Sequence, residues 1–306
     1  MIRNLDPAAE RFLTDLGRIQ KSLDRASRQI SSGLRISAPS DGPDEISDIL
    51  KIAAALSRSE QLRVNLARVQ SEVRTAQDAL EQAIRLVDRA RILGSQGAGS
   101  TQTPETRRIL AGEVQGLFEE MVTASRAMVT GRYVFSGDLD QSPSYELDWT
   151  SPNGVQRLIV TQATRLIQHP SGTTYAASKT AQEIFDSRNP DDSLAPENVF
   201  AAMNGLRVAL ETNDQTGIES ALASLRLAGD HLNLHLSFYG LAQVKTESAV
   251  EFAGKTETRL KIEQGNRRDA DLTEAALEVQ RAKTQQDAAY ASRAAMPRTS
   301  LFDFLG

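Results

Sequence analysis

Residues 62–90 read LRVNLARVQSEVRTAQDALEQAIRLVDRA, and their apolar positions settle the fold class. Leu62, Leu66, Val69, Val73, Ala76, Leu80, Ala83, Val87 and Ala90 recur at steps of four and three. This heptad spacing lays one apolar stripe along a helix and buries it against other helices. No glycine or proline interrupts the run, so one helix of many turns is predicted.

The same reading extends outward. Pro43 opens this helix, with Asp44 and Glu45 at its positive end, and the glycine-rich GSQGAGST of residues 94–101 stops it near Leu93. Upstream, Asp6 caps a first helix at Pro7 whose seam is Ala9, Phe12, Leu16, Ile19, Leu23, Ala26 and Ile30. Gly33 ends it, and ISAPSDGP forms the loop that follows. Downstream, Thr103-Pro104-Glu105 restarts a helix striped by Leu110, Val114, Leu117, Met121, Ala124 and Met128, with Gly131 as its stop.

From 132 to 195 the pattern changes. Strand-forming runs at 133–135, 145–149, 158–161 and 164–167 are separated by turn signals such as Pro152-Asn153-Gly154 and Pro170-Ser171-Gly172. Helices resume near Pro196. A short one carries Val199, Met203, Leu206 and Leu210, and a longer one after Asp214 carries Ile218, Leu222, Leu225, Leu232, Leu236 and Tyr239 to about Gln264. The last is alanine-rich, with Ala275, Val279, Ala282, Ala289 and Met296, and runs into an apolar ending, Leu301-Phe302-Asp303-Phe304-Leu305.

The predicted fold is mainly α: a long antiparallel, coiled-coil-like helix bundle formed by both chain ends, with a small β-rich inserted domain. Its segments are an N-terminal assembly helix and loop (1–42), two halves of a helical bundle (43–131 and 196–265) around the insertion (132–195), and a C-terminal assembly helix (266–306). Each terminal helix has a single apolar stripe. Burying one leucine gains about 1.5–3 kcal/mol, and an isolated helix must first overcome its nucleation cost. The terminal stripes are therefore expected to find partners in other subunits. Phe12, Leu16, Ile19, Leu23, Ile30, Val279, Ala282, Ala289, Leu301, Phe302, Phe304 and Leu305 are the candidate self-assembly residues.

Composition narrows the function. The 306 residues include no cysteine, which removes disulfides and thiol chemistry. Aromatic content is 5% with one tryptophan, so a thick aromatic core is not expected. Net charge is -5 without a basic block, a poor match to nucleic acid or anionic membrane. No apolar run approaches the roughly 20 residues of a membrane span, and the N-terminus lacks the basic and apolar regions of an ordinary secretory signal. His231 and His235, four apart, share a helix face, but no third metal ligand is evident near them in sequence, and ordinary helix histidines are expected. GSQGAGST lacks the Gly-Lys-Ser/Thr ending of a phosphate loop, and Asp138 and Asp140 lack the remaining spacing of a calcium loop. With no nucleophile constellation either, neither an enzyme nor a cofactor is expected.

Three separated motifs resemble the flagellin superfamily. RQISSGLRISAPSDGPDE at 28–45 is similar to its signature in which a helix ends in Ser-Ser/Thr-Gly and a basic residue; RARILGSQGAGST at 89–101 is similar to its Arg-Ala-Arg run and glycine turn; residues 271–305 resemble its Ala/Gln-rich terminal helix. The segments Pro39–Pro43, Gly131–Gly137 and Ser300–Leu305 lean toward the hook–filament junction branch rather than filament flagellin. The resemblance implies a structural subunit of the flagellum, exported through the flagellar type III apparatus. Its implied partners are copies of itself, a neighbouring hook-associated protein, flagellin, and an export chaperone. The other readings are filament flagellin and a non-flagellar secreted coiled-coil protein. One position departs: flagellins carry an acidic residue where this chain has Ile92, so recognition by innate immune receptors does not carry over.

Overall fold

The structure, a computed structural model, describes residues 7–161 and 165–295. In order it contains α1 (Pro7–Ser32), α2 (Pro43–Gly97), α3 (Pro104–Ser125), β1 (Met128–Val129), β2 (Arg132–Tyr133), β3 (Tyr145–Leu147), β4 (Val155–Arg157), β5 (Leu166–Gln168), β6 (Thr174–Ala176), α4 (Ala181–Phe185), α5 (Val199–Glu211), α6 (Gln215–Arg268) and α7 (Leu272–Ala295). Two compact units form, Met1–Ser59 with Thr256–Gly306 and Glu60–Lys255. The unit holding the chain ends thus takes in the first turns of α2 and the last turns of α6, further into the chain than segments 1–42 and 266–306.

In the unit of residues 60–255, the Leu62–Ala90 seam lies inside. Leu66, Val69, Val73, Ala76, Leu80, Ala83, Val87 and Ala90 are all buried, and Leu62 is half-buried. From Val69 onward they share one core with Val114, Phe118 and Met121 of α3, Met203, Leu206 and Leu210 of α5, and Leu225, Leu232 and Tyr239 of α6. This core is richer in aromatics than composition suggested. Phe200 stands 6.0 Å from Phe118, 5.3 Å from Tyr145 and 5.9 Å from Phe185, and Phe135 lies 5.5 Å from Phe185 and 6.2 Å from Tyr239. A whole-chain average hides such clustering: the long helices pack on Leu, Val and Ala, and the rings gather where the insertion docks on the helices.

Beside these rings the Asp186 carboxylate is fully buried. It accepts hydrogen bonds from the Tyr145 hydroxyl (3.1 Å), Asn153 Nδ2 (3.0 Å), Asn198 Nδ2 (2.8 Å) and Arg188 Nε (2.8 Å). A buried carboxylate is tolerated only with such partners. It ties β3, the loop before β4, and the start of α5 to one point.

The insertion departs from its predicted strands. The β-rich character holds, as three separate two-stranded antiparallel sheets, but strand limits differ. α3 ends at Ser125, not at Gly131, and Met128 belongs to β1, paired with Tyr133 and largely exposed. The reason is the turn: Thr130 and Gly131 both adopt positive φ, 47° and 80°, which closes a two-residue hairpin whose twist suits antiparallel strands. The 158–161 run is not a strand; pairing with β3 across the Pro152-Asn153-Gly154 turn takes Val155–Arg157 instead. The 164–167 run falls partly outside the described residues, and β5 begins at Leu166. α4 was missed, although Thr180 and Glu183 form a reciprocal capping box that the sequence displays as Thr-x-x-Glu.

Candidate assembly surface

In the unit of the chain ends, α1 packs along α7. The fully buried positions of the contact are small, Ala26, Ala275 and Ala282, while Phe12, Leu16, Ile19, Leu23, Val279 and Ala289 are half-buried on the same seams. Polar pairs mark its edge, with Ser22 Oγ donating to Glu278 at 2.7 Å, Gln286 Nε2 to Gln20 Oε1 at 3.0 Å, and the Arg293 guanidinium over the Phe12 ring at 5.8 Å. The helical pairing expected of the two chain ends forms here. They face one another, because the chain returns its C-terminal helix alongside its N-terminal one. Ile30 lies off this contact and is 43% exposed. Leu301, Phe302, Phe304 and Leu305 lie outside the described residues, as do Asp6 and Met296.

The turn after α1 fixes the pairing. Gly33 has φ +71°, a conformation that L side chains rarely adopt, and so reverses the chain at the helix end. The next residues bond to the α6–α7 junction. Arg35 N donates to the Arg268 carbonyl at 2.7 Å, and Ala270 N donates to the Gly33 carbonyl at 2.9 Å. Leu34 and Asp269 thereby form an antiparallel bridge. The Arg35 guanidinium adds bonds to the Arg267 carbonyl (2.6 Å) and Glu45 (2.7 Å), and Arg267 reaches Asp48 at 3.1 Å. These ion pairs are partly exposed, so water and salt screen them and they add little. The main-chain bridge does the holding and the charges trim it. Asp41 closes the loop by accepting from Ala38 N (2.8 Å), Ser37 Oγ (2.9 Å) and Ser37 N (3.1 Å), which holds its carboxyl below the usual aspartate range. Ile36 tucks under Gly42 and is buried.

The glycine-rich stretch does not stop α2 near Leu93: the helix runs on through Gly94 to Gly97, and packing rather than ligand binding explains these glycines. A Cβ on Gly97 would meet Leu210 Cδ2 at 2.3 Å, and one on Gly94 would meet Leu222 Cδ2 at 2.8 Å. The turn is then locked by Arg107 of α3, which is buried. Its Nε donates to the Gly97 carbonyl at 2.8 Å, its Nη1 to Asn213 Oδ1 at 2.7 Å, and its Nη2 to Gln215 Oε1. Sequence reasoning missed Arg107 and Arg267. Nothing in their spacing separates them from the surface arginines around them. Arg35 lies in the Ser-Gly-Leu-Arg motif at the end of α1.

Apolar side chains remain exposed on both helices. Leu13 and Ile30 of α1 and Leu272, Leu277 and Tyr290 of α7 are each more than 40% exposed. Scattered exposed apolar residues are ordinary, but these five give two paired helices an exposed apolar surface among the described residues.

Residues 5–139 match the family model of the bacterial flagellin N-terminal helical region, and residues 224–305 match that of the C-terminal helical region. The chain belongs to the flagellin family. Both matched regions contain the features just described, so the paired helices α1 and α7 and the locked turn are built from the family's own segments. Flagellar hook-associated protein 3 of Salmonella typhimurium is 21% identical over 233 residues, covering 74% of this flagellin-family chain and 72% of the relative. The protein of the same name from Escherichia coli is 24% identical over 207 residues, covering 64% and 63%. The crystal structure of the flagellar junction protein FlgL from Legionella pneumophila superposes with a TM-score of 0.56 at 14% identity, covering 66% of this chain and 99% of that one. The family is structural: its members are parts of the flagellum, and this one is a flagellar protein of mainly helical build with a small β insertion. Among the described residues, no helix is long and apolar enough to cross a membrane.

Proposed function

We propose that this flagellin-family chain is the subunit of the hook–filament junction, assembling through its terminal segments 1–42 and 266–306. The observation that carries the reading is that relatives named hook-associated protein 3 align over most of the chain. The geometry is consistent with it: the terminal helices pair through alanines and keep Leu13, Ile30, Leu272, Leu277 and Tyr290 exposed, as a helical unit destined for neighbours would. Phe12, Leu16, Ile19, Leu23, Val279, Ala282 and Ala289 hold the pair together, and Leu301, Phe302, Phe304 and Leu305, outside the described residues, stay assembly candidates on their apolar sequence alone. Partners on this reading are copies of the chain, a hook-associated neighbour on one side and flagellin on the other, with an export chaperone and the export apparatus before assembly. A junction subunit needs two different faces, whereas a filament subunit must repeat one head-to-tail contact without limit. Deleting the gene is expected to leave hooks without filaments and to release intact flagellin into the medium. Filaments that persist in the deletion strain would make the chain a filament subunit instead.

A further inference from the structure

The three histidines of the chain take two different roles, and two of them converge. His231 and His235 stand one turn apart on α6, with their Nε2 atoms 3.2 Å apart. The Glu183 main-chain carbonyl of α4 lies 2.9 Å from His231 Nε2. We propose that His231, His235 and the Glu183 carbonyl oxygen form a chelating site for a borderline divalent ion of the Ni²⁺, Cu²⁺ and Zn²⁺ class, clipping the β-rich insertion to α6.

The distances carry this. Two nitrogens 3.2 Å apart, each at the roughly 2.0–2.1 Å of a metal–imidazole bond, subtend an angle of about 100° at the metal. That lies between the angles of octahedral and tetrahedral coordination, so the pair can close on an ion with little movement of either ring. Residues four apart on a helix face one way, the arrangement that places two imidazoles on a metal in known helical sites. The two rings are edge to face, with an interplanar angle of 77° and centroids 4.5 Å apart. Protonation states favour it as well. A carbonyl only accepts, so His231 carries its proton on Nε2 and His235 presents a bare Nε2 toward it. On binding, His231 changes tautomer and keeps its proton on Nδ1, so neither ring needs to gain or lose a proton.

Access and donor number set the kind of site. A solvent-open cleft of about 710 Å³ runs beside the pair, lined also by Arg157, Arg188 and Asp192, and leaves room for water ligands. Among the described residues no three His, Cys, Asp or Glu side chains gather around an ion, so the third donor is the main chain. Such a site is weaker than a four-ligand structural zinc site, and the Irving–Williams order places copper and nickel at its favoured end. The sequence could not show it, because the third donor comes from a helix about 48 residues upstream that folding brings across.

Untagged, chelator-stripped full chain should bind Ni²⁺ alone with one-to-one stoichiometry in isothermal titration calorimetry, and the ion should raise its melting temperature. His231→Gln, at the solvent edge, should weaken binding by about tenfold or more, since one ligand of a chelate is lost. His235→Gln should do the same, and His169→Gln, on a separate loop, should bind as the parent does. Circular dichroism separates lost binding from lost folding: a His231→Gln protein with parental spectrum and melting temperature in chelator, but no nickel-induced shift, supports the site. Parental affinity in His231→Gln, loss of binding in His169→Gln, or no saturable binding by the parent up to about 1 mM would overturn it.

Discussion

The Arg107 Nε lies 2.8 Å from the Gly97 carbonyl oxygen, so a buried guanidinium of α3 caps the end of α2. The same side chain bonds Asn213 and Gln215, at the start of α6. Three helix ends are thus held by one cation, in a place where unsatisfied helix-end carbonyls would otherwise be buried. Arg107→Met keeps most of the apolar stem and removes all three bonds. It should lower unfolding free energy by about 2–4 kcal/mol in denaturant titration. A loss below about 0.5 kcal/mol would show that water replaces the cap without cost.

Gly97→Ala should be destabilising despite alanine's better helix propensity. The added Cβ would lie 2.3 Å from Leu210 Cδ2, so Leu210 must shift in a packed core. Overpacking of this kind costs about 1–3 kcal/mol, against about 1 kcal/mol gained from propensity. The double substitution Gly97→Ala with Leu210→Ala should show coupling, because removing the leucine side chain removes the clash. Strict additivity in a double-mutant cycle would refute the close approach.

The seam between α1 and α7 can be tested with Leu16→Asp and Leu23→Asp together. Two charges on half-buried positions should open the α1–α7 pair, at a cost of a few kcal/mol to that contact. Far-UV circular dichroism should lose helix equivalent to much of α1 and α7. The main thermal transition, from the core of residues 60–255, should move little, and incorporation into flagella should fail. Normal incorporation with full helicity would remove the seam from assembly.

His235 gives a pH prediction with a definite sign. Its folded pKa is about 4 against an ordinary 6.5, lowered first by burial and then by the charges of His231 and Lys179. Between those values the unfolded chain binds the extra proton, so stability present at pH 7 is lost as pH falls from about 6.5 toward 4. The effect is of order 1–3 kcal/mol. Carboxylates with lowered pKa push in the same direction, so the measurement is a comparison. In chelator, the parent should lose more stability than His235→Gln between pH 7 and 4.5. Equal losses would show that His235 titrates as an exposed histidine does.

Gly33→Ala tests the turn that pairs the chain ends. Alanine at φ +71° is strained, by about 1–2 kcal/mol, and the bridge between Leu34 and Asp269 follows directly from that turn. Hydrogen exchange at Arg35 and Ala270, whose amides make the bridging bonds, should quicken markedly while amides of residues 60–255 stay protected. Unchanged exchange at both amides would mean that the bridge forms without the glycine.

By itself the sequence determined the long helices and where they start, because apolar period, caps and breakers are local. The Leu62–Ala90 seam, the Pro7 and Pro43 starts, the Thr103 cap and the Gly33 stop are all read within a few residues of where they act, and the structure has α2 and α3 beginning at Pro43 and Pro104. The motifs of residues 28–45 and 89–101 carried the family for the same reason. What only the tertiary structure decided is which stripe faces which. A heptad seam states that a face is buried and is silent on its partner, and α1 and α7 are about 250 residues apart in sequence yet bond through Ser22 and Glu278. The strands of the insertion were misplaced because two- and three-residue strands have too few positions to show alternation, so turn φ angles and pairing register set their limits. Arg107, Asp186 and the His231–Glu183 contact were equally hidden, since a buried polar group is defined by the partners folding brings to it, and those partners come from other helices and loops.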